Sequence, residues 1–483
     1  MNRANRLVVA VTVPLALGAC VAVGPDYMPQ PGPSIANYSR ADPSKASDGS
    51  AEGDQRISVG VVTPYWWKAF ASPVLNALVK QALAGSPAIE AAQATLAQAR
   101  EGITAARGDL FPQITIGGSA GRSNSGAPGL DTTLNKSSVG PSLAYQVNAF
   151  GATSRRVEQA QALADLQQAK LRATRLTLTG STVAQALALA SATEQIRAVQ
   201  DIIAFDQHNL ELVQLSANAG RSAYLDVLTA ESQLSSDRAL LPPLQQLASV
   251  ARHALAVLTG RMPAESPDLQ FDFSILTLPR DLPLALPSGL VRERPDLQAA
   301  EAQLHASSAA IGIATVALYP NLTLDASFAE TTVGSGALFA NSTGIWSLAA
   351  SILAPVFSGG KLSAQRAAAT DAYAAELGNY RQAVLTAFGQ VADVLHALSH
   401  DADQLAAQRR ALNAAKATLE LTQQSYQAGQ AGLLQIIEAQ RLYQQARLGY
   451  VRAQTQRFAD SAQFFVVTGG GSGDAVADIA GKP

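Results

Sequence analysis

Two hydrophobic periods divide this chain. Leu377, Val384, Val391, Leu398, Leu405, Leu412, Leu419, Tyr426 and Leu433 follow one another at intervals of seven. A strict seven-residue apolar row of this length predicts α-helix with a left-handed supercoil. Between Lys361 and Tyr426 there is no proline, and the only glycines are Gly378 and Gly389. Such a helix would reach about 100 Å at ~1.5 Å per residue. An ordinary dimeric coiled coil would share the row, but the companion positions are mostly alanine and polar residues, not the leucines a dimer seam prefers. Elsewhere the period is two. Leu322, Leu324, Ala326 and Phe328 alternate with Thr323, Asp325, Ser327 and Ala329, and Trp346, Leu348, Ala350 and Ile352 alternate with Ser347, Ala349 and Ser351. Ile114 and Ile116 open an earlier strand, and Leu143, Tyr145 and Val147 carry the apolar face of its partner. Strands are expected at about 112–125, 138–149, 320–332 and 345–355, with Gly- and Ser-rich loops at roughly 126–137 and 333–344. A soluble two-stranded sheet is the alternative, but an isolated hairpin is marginal in water. The lengths suit membrane-barrel strands of about 9–11 residues.

The two periods occur twice. Ser86-Pro87-Ala88-Ile89-Glu90-Ala91-Ala92 matches Arg294-Pro295-Asp296-Leu297-Gln298-Ala299-Ala300, and Leu110-Phe111-Pro112 matches Leu318-Tyr319-Pro320, both 208 positions apart. Gly220 to Ala230 matches Gly429 to Ala439, and Leu189, Ile196, Ile203 and Leu210 match Leu398, Leu405, Leu412 and Leu419, at an offset of 209. Each half is therefore one unit: helix, two strands, long helical hairpin. Pro87 and Pro295 stand at the first helical turn, where a missing N–H costs nothing. The helices should stop before Phe111-Pro112 and Tyr319-Pro320, because a residue before proline avoids the helical region. The copies differ at Pro242-Pro243, which predicts a bent or broken return helix in the first hairpin, where Val451-Arg452 continues the second.

Composition narrows the setting. The chain has 483 residues, is 48% hydrophobic but 6% aromatic, and carries 15% charged residues at a net charge of −2. The alanine-rich apolar share favours closely packed helices, the low charge leaves part of the surface for something other than water, and no nucleic-acid partner is implied. The one cysteine, Cys20, follows a basic start at Arg3 and Arg6 and an apolar run from Leu7 to Leu17. That is a secretory signal peptide, too short to span a membrane. Leu17-Gly18-Ala19-Cys20 resembles a bacterial lipobox. The resemblance implies cleavage before Cys20, with diacylglycerol on its sulfur and an acyl group on its new amino terminus. Val21 is not an aspartate, so nothing by this resemblance retains the lipoprotein at the inner membrane. Cleavage would remove two arginines and no acid, leaving the mature chain two charges more negative. No apolar run of about 18 residues follows, so no spanning helix is expected.

Four strands cannot close a membrane barrel, which needs at least about 8, and open edges are forbidden in lipid. Two copies would supply eight strands, whose interior side chains fill. Three supply twelve, which can leave a lumen. The small and polar inner faces favour the wider tube, so a homotrimer is expected.

The lipobox, Val23-Gly24-Pro25-Asp26-Tyr27 with Pro29, the Phe-Pro and Tyr-Pro strand starts, and the strand-to-helix turns Asn148-Ala149-Phe150-Gly151 and Pro355-Val356-Phe357-Ser358-Gly359-Gly360-Lys361 together resemble the outer membrane factors. These are the TolC-like, NodT-like lipoprotein exit ducts of tripartite RND efflux pumps. The resemblance covers the chain from Cys20 to about Phe465. It implies a mixed α+β fold, a trimer with a twelve-stranded transmembrane β-barrel and a twelve-helix periplasmic α-barrel, and placement in the outer membrane of a Gram-negative bacterium. It also implies a periplasmic adaptor and an inner-membrane RND pump as partners, outer-membrane lipid as surroundings, and small toxic molecules as cargo. By the same match the hairpin tips, Gly220, Arg221, Ser222 and Gly429, Gln430, Ala431, contact the adaptor. Gln435 and Glu438 stand where relatives place inward-facing acids at the periplasmic aperture, and Tyr426 and Asp226 stand where relatives link the hairpins. Ala431 replaces an arginine found in some relatives, so that link is absent. Three Glu438 carboxylates on one axis would repel one another, raise their pKa values and attract cations. Thr229 occupies the matching position of the first hairpin, which leaves this charge to the second.

The expected order is signal peptide 1–19, lipidated and equatorial segment 20–77, first repeat 78–260, equatorial linker 261–293, second repeat 294–466 and flexible Gly-rich tail 467–483. His396 and His400 share a helix face but have no third ligand nearby, so no metal site is expected. Ser358-Gly359-Gly360-Lys361 lacks phosphate-loop spacing. No nucleophile–base set is evident, so neither an enzyme nor a cofactor beyond the covalent lipid is expected. Two other readings are an export duct for proteins and a trimeric coiled-coil surface fibre, though a fibre would not need two internal strand-bearing copies.

Overall fold

The computed structural model describes residues 22–32, 35, 37–38, 55–127, 130–265, 271–333 and 342–470. The expected signal peptide, Cys20 and most of the expected tail lie outside the described residues. The elements run β1 (Arg56–Val59), α1 (Pro73–Gly85), α2 (Pro87–Gly108), β2 (Gln113–Ala127), β3 (Leu130–Val147), α3 (Ala152–Asn218), α4 (Tyr224–Ala239) and α5 (Leu241–Leu258). They continue with β4 (Asp281–Leu284), α6 (Pro287–Glu293), α7 (Pro295–Val316), β5 (Asn321–Val333), β6 (Thr343–Leu353), α8 (Lys361–Gln427) and α9 (Leu433–Val467). The helix–strand–strand–hairpin order thus appears twice.

Compactness groups these elements differently from sequence order. One unit takes residues 1–29, 98–164 and 302–377, and the other takes 30–97, 165–301 and 378–483. Each draws on both repeats.

In the first unit β2, β3, β5 and β6 form one antiparallel sheet in that order. The start of β3 and the loop expected before it differ from the sequence expectation. The segment assigned to a loop at 126–137 is largely strand: β3 begins at Leu130 and pairs with β2 through Ala127↔Leu130. Thr133, Leu134 and Asn135 continue the ladder opposite Asn124, Ser123 and Arg122. A polar sequence extends a strand when a neighbour offers its backbone, so the missing apolar alternation there misled the reading. Gly140 lies where β3 and β5 come closest. A Cβ there would fall 1.9 Å from the carbonyl oxygen of Phe328.

In the second unit Pro73 opens α1 behind Ser72, whose hydroxyl accepts the Leu75 N–H at 3.3 Å. Ala82, Ile89 and Leu96 of α1 and α2 bury against Leu171 and Leu178 of α3. A second core is aromatic. Trp66 stacks on Phe465 at 5.4 Å, Phe70 on Phe458 at 6.1 Å, and Phe273 leans on Phe458 at 5.3 Å. Beside it β1 pairs in parallel with β4, and Gln55 donates to Pro279 O and Ser461 Oγ.

The long helices answer their heptads. α3 and α8 are 67 residues each, about 100 Å at ~1.5 Å per residue. All nine residues of the row from Leu377 to Leu433 are buried or half-buried, with Val391 and Leu398 the deepest. The proline pair acts where expected. α4 ends at Ala239 and α5 begins at Leu241, with Pro242 in its first turn, whereas α9 runs unbroken for 35 residues.

Candidate functional site

Alternation along the four strands yields two chemically distinct faces. In register across the sheet, Ile114 faces Leu143, Leu143 faces Ala326 and Ala326 faces Leu348. One step along, Tyr145 pairs with Leu324, and Phe328 pairs with Trp346. On the outer strands this face is open, with Ile116 81% exposed, Leu348 76% and Trp346 74%, while Leu143, Tyr145 and Leu324 on the inner strands are half-buried. The opposite face carries a hydroxyl row. Thr115 Oγ1 and Ser142 Oγ are 2.8 Å apart, as are Ser327 Oγ and Ser347 Oγ, and Ser119 Oγ and Ser138 Oγ. The pairing β2-β3-β5-β6 leaves the outer edges of β2 and β6 without a strand among the described residues. An apolar face, a hydroxyl face and two open edges form a barrel segment, since exposed apolar area of this extent marks a surface that meets lipid or protein. No described helix is long and apolar enough to cross a membrane.

At the helix-side ends of these strands a cleft of about 460 Å³ opens among Val147, Phe150, Val316, Tyr319, Leu353 and Pro355. The chain that follows Cys20 docks near this level. Arg155 is buried, and its guanidinium donates to the carbonyls of Ala22, Val23 and Gly24 at 3.3 Å, to Asp26 at 2.8 Å and to Glu158 at 2.7 Å. Ion pairing and hydrogen bonds to both carboxylates hold its pKa above the usual value against the opposing effect of burial. Glu158 also meets His305 at 3.1 Å, and Tyr27 stacks on that imidazole at 4.3 Å. This clamp escaped the sequence reading. Its one legible trace was the Val23–Tyr27 motif, which does not reveal a partner 130 residues away.

The two hairpin tips are built alike. Gly220 (φ +70°) and Gly429 (φ +72°) take the left-handed conformation that ends α3 and α8, which glycine adopts without a Cβ penalty. The next amides reach back into the helix, Arg221 N–H to Ser216 O at 2.9 Å and Gln430 N–H to Ser425 O at 2.8 Å, a Schellman-type ending. The return helices start with reciprocal caps. Asp226 Oδ2 accepts the Ala223 N–H at 3.1 Å, and Gln435 Oε1 accepts the Gly432 N–H at 3.0 Å. Tyr224, Leu225 and Leu434 are exposed beside the tips.

This geometry sorts the residues singled out at the aperture. Asp226 and Gln435 hold equivalent capping positions. No hydrogen bond joins Tyr426 to Asp226 within the chain; Asp226 is engaged at Ala223. Glu438 has a partner on its own helix. Its carboxylate is paired with Arg441 one turn on, Nε to Oε2 at 2.9 Å and Nη2 to Oε1 at 2.5 Å. Within the chain the hydrogen bonds and charge of Arg441 hold the Glu438 pKa below the usual carboxylate range. Arg441 was overlooked, although its spacing of three from Glu438 is legible in a helix. His396 and His400 are both exposed, and no group of three or more His, Cys, Asp or Glu side chains assembles among the described residues.

A sheet that is apolar on one face and open at both edges, joined in sequence to twin supercoiled hairpins, defines a subunit of an outer-membrane channel. The chain belongs to the outer membrane efflux protein family, whose model matches residues 78–261 and 286–470. It is similar to the pyoverdine export outer membrane protein OpmQ of Pseudomonas aeruginosa, at 33% identity over 417 residues, covering 84% of this chain and 87% of OpmQ. It is similar to nodulation protein T of Rhizobium leguminosarum bv. trifolii at 28% identity, over 91% of this chain and 92% of that protein. Among solved structures it matches the outer-membrane channel OprN at a TM-score of 0.83 and 28% identity, over 93% of this chain and 99% of OprN. The fold is accordingly the mixed, mostly helical one of these channels, and the protein resides in the outer membrane.

Proposed function

We propose that three copies of this chain close a twelve-stranded barrel and a twelve-helix tube, and that the assembly is the exit duct of a tripartite RND-type efflux pump for small molecules. The observation that carries this reading is the four-stranded sheet, whose apolar face, hydroxyl face and two open edges call for partner strands in lipid. Edges β2 and β6 meet between copies, the apolar face meets lipid and the hydroxyl face lines the lumen. Cys20, acylated, tethers each chain to the membrane. Gln435, Glu438, Asp226 and Tyr426 surround the periplasmic aperture, and the tips Gly220–Ser222 and Gly429–Ala431 receive a periplasmic adaptor that links the duct to an inner-membrane pump. Small-molecule cargo is favoured over protein because OpmQ, a pyoverdine export outer membrane protein, is similar over most of this chain.

Two measurements test the reading. The intact mass of the full-length protein in mild detergent is expected at three subunits; two or four would overturn the trimer. Deletion of the gene should raise sensitivity to dyes, detergents and antibiotics, and unchanged sensitivity would remove the efflux role.

A further inference from the structure

Three helices bring two carboxyl groups together where nothing neutralises them. Asp206 of α3 and Asp237 of α4 are each 3% exposed. Gln440 and Gln444 of α9 close over them. Gln440 Nε2 donates to Asp206 Oδ1 at 3.0 Å, and Gln444 Nε2 donates to Asp237 Oδ1 at 2.8 Å. Asp237 Oδ2 accepts a third bond from Gln233 Nε2 at 2.8 Å. That leaves Asp206 Oδ2 and Gln440 Oε1 buried with no donor, and the Asp237 carboxyl lies within hydrogen-bonding reach of the Asp206 carboxyl.

Two carboxylates only accept, so this contact is repulsive unless one oxygen carries a proton. Three cations on this stretch of the helices are engaged elsewhere. Arg447 of α9 holds Asp201 of α3 at 2.8 Å, Arg238 of α4 donates to Gln207, and Arg441 of α9 holds Glu438. The neighbouring Asp237 carboxylate acts on Asp206 through its charge.

We propose that Asp206 and Asp237 share one proton, carried on Asp206 Oδ2 and donated to Asp237, and that this proton latches the hinge end of α4 to α3 and α9. Asp237 lies two residues before the end of α4, and α4 gives way to α5 at Leu240. The far end of α4 carries the hairpin tip. Burial and the neighbouring carboxylate push the Asp206 pKa up to about 8. A raised acid binds its proton more tightly in the folded chain than in the unfolded one. The latch is therefore complete in acid, weakens as pH climbs from the ordinary carboxylate range, and is lost as pH passes about 8. With the proton gone, α4 is free to pivot at Leu240 and move the first tip. The inference stands on the packing of one chain and holds whether or not the efflux reading does.

The test uses the full-length protein in detergent, wild type beside Asp206→Asn and Asp237→Asn. Hydrogen exchange of the α4 amides, corrected for intrinsic rate, is measured from pH 6 to 9, with the thermal midpoint followed in parallel. In the wild type, α4 protection should fall about tenfold across this window and the midpoint should drop. Asp206→Asn supplies an N–H donor at every pH, so both profiles should flatten while protection at pH 6 is kept. Should Asp206→Asn fold poorly, Asp237→Asn likewise leaves one carboxyl beside one amide, the amide now donating to Asp206, and the same flattening is expected. Parallel profiles in wild type and variant would overturn the proposal. So would a wild-type response to added sodium or calcium in place of pH, which would put a metal ion between the carboxyls.

Discussion

At the scale of single residues, two positions separate backbone necessity from charge. Gly117 and Gly140 face each other across β2 and β3. A Cβ at Gly117 meets nothing within 4 Å, whereas one at Gly140 meets the Phe328 carbonyl at 1.9 Å. Gly140→Ala should therefore force β3 and β5 apart, at a cost of at least about 1–3 kcal/mol, and lower the yield of folded protein in outer-membrane fractions. Gly117→Ala should leave that yield unchanged, and equal yields would refute the assignment of β3 against β5. The second position is Glu438. Because Arg441 lowers its pKa, the pair's charge attraction is present above the ordinary glutamate range and is lost only as pH falls through the lowered value. Arg441→Ala would remove the countercharge and give each chain one more net negative charge at the aperture. Reversal potentials across a planar bilayer should then shift toward greater cation selectivity at neutral pH. An unmoved reversal potential would remove Glu438 from the ion path.

Elements translate these local choices into rigid and pivoting parts. Pro242 lies in the first turn of α5, just after the break at Leu240. Its ring cannot continue a helix from α4 without a clash and a lost hydrogen bond. Pro242→Ala with Pro243→Ala should fuse α4 to α5, and hydrogen exchange around Leu240 should slow. Exchange as fast as in the wild type would place the hinge elsewhere. The segment 22–27 behaves as a strap on the root of α3. Arg155 satisfies three successive backbone carbonyls there, so Arg155→Ala should cost about 1–3 kcal/mol through donors and acceptors left without partners. Exchange in residues 22–27 should rise while that of the strands stays fixed. These elements were unequally legible in the sequence. The heptad row announces α8 because seven-residue spacing is local. Asp226 and Gln435 read as aperture residues, yet within the chain they cap their helices, a role visible only once the helix starts are placed. The Arg155 clamp and the Asp206–Asp237 pair were illegible because their members lie 30 to more than 200 positions apart and no periodic pattern connects them.

For the whole molecule, the repeat governs how copies meet. The two strand pairs join as one sheet through β3 and β5, which leaves the outer edges of β2 and β6 open for the proposed contact between copies. Exposed leucines such as Leu215, Leu385 and Leu421 on the long helices offer apolar surface to neighbouring helices. Cysteines introduced as Thr115→Cys on β2 and Ser347→Cys or Ala349→Cys on β6 should form disulfides between copies. The denatured ladder should stop at three chains. A ladder ending at two, or continuing beyond three, would contradict a closed trimeric wall.

The sequence by itself determined the repeat, the supercoiled helices, the strand faces and the broken first hairpin. Each of these depends on neighbours within a few residues or on the constant offset between two copies. Tertiary structure alone decided that the compact units cut across the repeats, that Arg155 clamps the segment that begins at Ala22, and that a buried carboxyl pair holds the hinge end of α4. Those outcomes depend on which distant side chains share a low-dielectric space, and spacing along the chain carries no record of that.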